Sequence, residues 1–203
     1  MVDHRDPRTL ARSLFVFLGG IVVWVSGLFA YEDHPWILIL APLPMLYATF
    51  RFGLFAEGVG RVLFSASGFF LAAMVGYTSL SVFFPTAEFD LESVAFFCLG
   101  SAALIAGLSF CAGLIAMARA RGWEPAERSC RRVFGAQLVL SLCVIVVWPI
   151  LVGDLLGQFR IDGSSLWLIF AWAAGVAHGL PVLAVPTVLG SITREVERRE
   201  SAL

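Results

Sequence analysis

The feature that most constrains this chain is the separation of its charged residues from six long apolar stretches. The chain has no Lys, and none of the stretches contains Asp, Glu or Arg. A helix needs about 20 apolar residues to cross a bilayer, and a charge in hydrocarbon is costly. We therefore predict an all-α integral membrane protein, a single compact bundle of six transmembrane helices that forms one domain over residues 1–203. The predicted spans are 13–31, 36–55, 62–84, 93–117, 133–152 and 166–190.

The second span is the least regular of the six. Its charge-free part ends at Phe50, and we expect it to continue to Phe55 with Arg51 reaching back to the lipid headgroups. Pro42 and Pro44 interrupt it, and proline removes a backbone donor from a helix, so a kink is expected there.

Composition narrows the class of protein. Hydrophobic residues make up 59% of the chain and charged residues 14%, against about 25% charged in a typical soluble domain. These values exclude a soluble enzyme, a disordered chain and a nucleic-acid-binding domain. The class that remains is an integral membrane protein, whose main partner is the lipid bilayer. Because every cation is Arg, as expected of a GC-rich bacterial genome, we predict location in a bacterial inner membrane.

The arginines predict the orientation of the spans. Thirteen of the fourteen fall in the N-terminal tail, the second and fourth loops and the C-terminal tail, and only Arg160 falls elsewhere. Cytoplasmic segments carry the excess of basic residues in membrane proteins. Both termini are therefore predicted to be cytoplasmic, which requires the even number of spans found above.

His178 is the sharpest single candidate for a functional residue. It is the one histidine within the predicted spans and lies near the middle of the last. An ionisable side chain at that depth is a functional-site hypothesis by default, here as a substrate contact or a proton relay. The alternative is a neutral imidazole bonded to a neighbouring helix. A lone histidine and four cysteines without metal spacing predict no metal site, no cofactor and no catalytic residue.

Proline and glycine break two of the spans, at Pro42 and Pro44 and at Gly179 and Pro181. In transporters, discontinuous helices often expose polar backbone at a midplane site. The alternative is simple kinking, since Gly and Pro are frequent in membrane helices.

Small residues predict where the helices approach one another most closely. Membrane helices associate through small side chains that let their backbones come together. The third, fourth and sixth spans carry such residues and are predicted to form the packed centre. The residues are Gly68, Ala72, Gly76, Gly107 and Gly175.

The longest inside loop, 118–132, contains five arginines. One interpretation is binding to anionic lipid or to a cytoplasmic partner. The alternative is control of topology alone.

Two functions from different classes remain. The first is a small permease, or the membrane component of a transport system, for a neutral or weakly charged small molecule. The second is a non-catalytic membrane subunit, assembly factor or sensor that acts through helix contacts with other subunits or with itself. An enzyme is disfavoured, because no set of polar groups converges near one bilayer surface.

Overall fold

A computed structural model describes residues 7–29, 36–40, 42–83, 91–143 and 180–201. These residues are helical, apart from short turns, and contain no strand, which confirms the all-α prediction for this part of the chain. The helices are α1 (Pro7–Phe29), α2 (Ile37–Leu40), α3 (Pro42–Phe55), α4 (Val59–Phe83), α5 (Leu91–Ala120), α6 (Glu124–Leu142), a 3-10 helix (Leu180–Ala184) and α7 (Val185–Glu200).

The described helices form a closed ring. α1 packs against α3, α3 against α4, α4 against α5, and α5 against α6. The 3-10 helix packs against α6, and α7 packs against both α6 and α1. The C-terminal helix therefore closes the bundle onto the N-terminal one.

Helix α1 shows how the sequence selects an inward face. Alternating steps of four and three residues place one row of side chains on one side of a helix with 3.6 residues per turn. In α1 that row is buried and consists of Leu10, Leu14, Phe17, Ile21 and Trp24. The opposite side is exposed; it carries Arg8 and Arg12 in the first turns and apolar residues such as Phe15 and Val22 beyond them.

Four phenylalanines from four helices meet at the centre of the ring. Phe17 of α1 stacks on Phe110 of α5, with ring centroids 3.9 Å apart. Phe52 of α3 and Phe64 of α4 contact Phe110 edge-on, at 5.3 and 5.4 Å. Edge-to-face and offset pairs are the favoured aromatic geometries, and this cluster fills the interior at its level.

Helices α4 and α5 cross closely at two glycines. A methyl group at Gly113 would lie 2.9 Å from the ring of Phe64, and one at Gly60 would lie 3.7 Å from the side chain of Ala116. Only a glycine at position 113 lets the buried Phe64 ring occupy its site in the aromatic cluster.

A tight turn joins α5 to α6 within the predicted inside loop 118–132. The amide of Trp123 donates to the carbonyl of Ala118, and that of Gly122 to the carbonyl of Arg119. Together these two bonds form a Schellman motif, which ends a helix when the first residue after it is left-handed. That residue is Gly122, which has a φ of 67°. Most of the predicted loop is helix because hydrogen bonding continues beyond the apolar span.

The prolines of the second span start a helix. α2 ends at Leu40, and α3 begins at Pro42 with Pro44 in its first turn. Amides in the first turn have no intrahelical acceptor, so proline is tolerated there. The interruption is therefore a helix start at Pro42.

The predicted small-residue contacts are found only in part. Gly68 lies against Leu46 and Thr49 of α3 at ordinary van der Waals distance, and Gly107 is buried. Ala72 is exposed and Gly76 has open space beside it. Each four-residue step turns about 40° around a helix, so this row rotates away from α3. Gly175 lies outside the described residues.

Two described helices are long and apolar enough to cross a membrane, with windows Pro7–Trp24 and Val59–Gly76. Only 28% of the second window is buried within the protein, unlike the core helix of a soluble protein. Large apolar side chains are exposed around the ring, among them Phe50 and Phe69 at 63% and 69%.

Candidate functional site

The most unusual buried residue in the described structure is Gln137 of α6. Its side chain is fully buried, and neither its amide oxygen nor its amide nitrogen has a hydrogen-bond partner. A buried polar group without a partner costs about 1–3 kcal/mol, and most such groups in proteins are paired. The chain therefore maintains a costly hydrogen-bonding group in its interior.

Ser141 lies one helical turn beyond Gln137. Residues four apart lie on the same face of a helix, and Ser141 is 1% exposed, with no partner for its hydroxyl. The two side chains form a buried polar pair, which we call the α6 polar pair. Gln137 lies four residues, about 6 Å of helix, beyond the start of the predicted fifth span at Val133, and Ser141 lies about 6 Å further along.

The break in the last helix lies against the helix that carries this pair. Residues Leu180–Ala184 form a 3-10 helix that packs on α6. Pro181 is buried, and neither it nor Pro186 has an amide hydrogen to donate to a helical hydrogen bond.

The remaining sequence-predicted positions of the last span, His178 and Gly179, lie outside the described residues. Of the predicted broken-helix positions, the structure places Pro181 beside α6, whereas Pro42 and Pro44 start α3 in the part of the ring between α1 and α4.

Three further unpartnered hydroxyls are buried on other described helices, those of Thr49, Ser67 and Ser101. Thr49 of α3 and Ser67 of α4 are each 1% exposed. They lie on adjacent helices, next to the contact between Gly68 and Thr49. A hydroxyl offers less hydrogen-bonding capacity than the two-ended amide of Gln137.

A small pocket among the described residues is apolar. It lies between α1, α5 and the start of the C-terminal helices, and Phe17, Leu114 and Val188 are among its lining residues. It offers no polar group to a solute, so hydrogen bonding inside the described bundle depends on the isolated buried groups.

The charged residues of the described ranges, other than Glu92 at the start of α5, gather at one end of the bundle. Arg121 lies over the ring of Phe55 at 4.4 Å, which joins the ends of α3 and α5. Arg8 pairs with Glu200, which joins the start of α1 to the end of α7. We call this end, with the turns at Gly58 and Gly122, the arginine end.

Glu127 anchors the arginine end at the α5–α6 turn. One of its oxygens accepts hydrogen bonds from Arg131 at 2.6 Å and from Arg119 at 3.1 Å. These bonds hold the pKa of the Glu127 carboxyl below its usual range. The carboxylate also lies in the first turn of α6, where the helix dipole favours negative charge.

The cysteines of the α5–α6 pair are not arranged for chemistry. Cys111 and Cys130 are both buried and free. Burial raises the pKa of the Cys130 thiol to about 12. A thiol with that pKa stays protonated at neutral pH and is a poor nucleophile. No group of three or more metal-binding side chains occurs among the described residues.

Gln137 was not among the candidates predicted from the sequence, because those candidates in the spans were ionisable residues and helix-breaking or small residues. The signal was present as an amide inside a span otherwise made of apolar and small residues, 133–152. The burial of Gln137 could be recognised only from the packing of α6, because the sequence alone does not show which side of that helix faces its neighbours.

No protein-family model, curated protein or solved structure matches this chain.

Proposed function

We propose that the chain is a six-span protein of a bacterial inner membrane, with both termini in the cytoplasm. Two helices of sufficient length, apolar side chains exposed around the ring and charges gathered at the arginine end support this proposal. The arginine end would face the cytoplasm under the positive-inside rule.

We further propose that the bundle passes a small neutral or weakly charged polar molecule across the membrane. The observation that carries this proposal is the unpartnered, fully buried amide of Gln137. An amide side chain both donates and accepts hydrogen bonds, so it can replace the water around a neutral solute. It carries no charge with which to hold an ion.

The break in the last helix supplies the second part of the proposed site. His178 precedes Pro181 by three residues, and three residues of chain reach at most about 11 Å. Pro181 belongs to the 3-10 helix that packs on α6. We propose that His178 and the α6 polar pair contact the same solute.

Osmotic measurements on the reconstituted protein test this function. Liposomes containing the full chain should shrink and re-swell faster than empty liposomes when urea or glycerol is added, as read by stopped-flow light scattering. Gln137→Leu should reduce that rate about tenfold or more, because one hydrogen bond to the solute is lost where water cannot replace it.

The matched control is Thr49→Val, which removes an equally buried and unpartnered polar atom from α3. It should leave the rate unchanged. Gln137→Leu should also unfold at a higher temperature than the unsubstituted protein, because the unpartnered amide costs about 1–3 kcal/mol. Swelling no faster than that of empty liposomes for every neutral solute would overturn the proposal, as would full activity of Gln137→Leu.

A second function, that of a non-catalytic membrane subunit, is favoured by one observation. Phe17, Phe52, Phe64 and Phe110 fill the ring at their level, as expected of a bundle that only packs against other proteins. Copurification of a defined membrane partner in mild detergent, without solute flux in liposomes, would select this function over the first.

A further inference from the structure

The outward face of α6 changes from basic to apolar along its length. Its first half exposes Arg128 and Arg132, and its second half exposes Val139 and Leu142. Between them lies the exposed small residue Ala136. Positions 128, 132, 136 and 139 follow steps of four, four and three residues, so they share one side of the helix. We call this face the α6 outer stripe.

The two arginines of this stripe are held only weakly, or not at all, by described acidic side chains. Glu127 is occupied by Arg131 and Arg119 on the neighbouring side of the turn. Arg128 is 3.7 Å from Glu124, and both side chains are more than two-thirds exposed. Exposed pairs of this kind contribute little free energy. Arg132 is exposed and makes no ion pair with any described residue.

We propose that the α6 outer stripe binds an anionic phospholipid of the membrane in which the protein lies. Arg128 and Arg132 would hold the phosphate through charge-assisted hydrogen bonds, which guanidinium groups make well. The acyl chains would run along Ala136, Val139 and Leu142. This inference rests on the proposed membrane location but not on solute transport.

The order of charged and apolar residues along the α6 outer stripe favours a lipid over other anionic partners. Seven residues separate Arg132 from Val139, about 10 Å of helix. Over that distance the exposed surface changes from cationic to apolar, as a phospholipid changes from phosphate to hydrocarbon. An acidic protein segment would match the arginines, but it would leave the apolar half of the stripe uncovered.

Native mass spectrometry of the full chain in mild detergent tests the proposal. With equal amounts of phosphatidylglycerol and phosphatidylcholine, the protein should retain phosphatidylglycerol preferentially. The double variant Arg128→Gln with Arg132→Gln should lose roughly 30-fold in phosphatidylglycerol affinity, the value expected for two basic residues near an anionic headgroup. Soluble glycerol phosphate should not displace the lipid, because it lacks the acyl chains.

The control is the double variant Arg194→Gln with Arg198→Gln, which removes the same charge from exposed positions on α7. It should keep the phosphatidylglycerol preference. Equal retention of both lipids, equal losses in the two double variants, or displacement by glycerol phosphate would each overturn the proposal. A chain found in the soluble fraction would overturn the membrane proposal as well, whereas a failed lipid preference would leave that proposal intact.

Discussion

At the scale of single residues, two polar groups on α6 have opposite surroundings. Glu127 receives hydrogen bonds from two arginines at the surface, whereas Gln137 receives none in the interior. The first arrangement stabilises the α5–α6 turn. The second destabilises the fold and is therefore the better candidate for a function, since proteins often give up stability at functional sites.

The Glu127 contacts predict a loss of stability in acid. A carboxyl whose pKa is lowered by folding contributes stability above its unfolded pKa of about 4.3, and this contribution is lost as the pH falls through the folded value. The melting temperature should therefore fall between about pH 5 and pH 3. Glu127→Gln, measured over the same range, should melt lower at neutral pH and show a smaller acid loss. An identical acid loss in both proteins would show that Glu127 does not link folding to pH.

The sequence identified few of the residues that matter at this scale. Charge patterning found the arginines, because charged residues are excluded from hydrocarbon and their sequence positions therefore mark the ends of the predicted spans. Charge patterning did not find Gln137, because an uncharged amide can lie on either side of a helix. Which side it occupies depends on the neighbouring helices. The prediction for His178 stays a prediction.

At the scale of secondary-structure elements, the positions of glycine residues determine where the chain can turn and where two helices can cross closely. Gly122 permits the left-handed residue that turns the chain from α5 into α6, and Gly113 admits the Phe64 ring between α4 and α5. The sequence predicted close packing from spacing alone. Spacing marks a row of small residues but not the direction in which the row faces, and so Gly76 proved to be exposed.

The α4–α5 crossing predicts opposite effects for two Gly-to-Ala substitutions. Gly113→Ala would place a methyl group 2.9 Å from a buried ring, and overpacking of this kind costs about 1–3 kcal/mol. Gly76→Ala meets open space and should stabilise α4 by about 0.5–1 kcal/mol, because glycine weakens a helix. Thermal unfolding in detergent measures both changes. Equal melting temperatures for the two variants would contradict the crossing.

At the scale of the whole molecule, the described charged residues other than Glu92 gather at the arginine end, and large apolar side chains are exposed on the sides. Each described helix overlaps one of the apolar spans predicted from the sequence. The apolar spans did not predict the helix bounds: α5 extends to Ala120 and α7 to Glu200, beyond the apolar stretches. Backbone hydrogen bonding continues into water wherever side chains permit it.

Reporter fusions test most directly the claim that this chain is a multi-pass membrane bundle. Fusions placed after Gly58, Gly122 and Ser201 join the reporter to the arginine end, and all three should report the cytoplasm. A fusion after Tyr31, which follows the first predicted span, should report the opposite side. Four fusions on the same side, or full-length protein in the soluble fraction, would contradict the account.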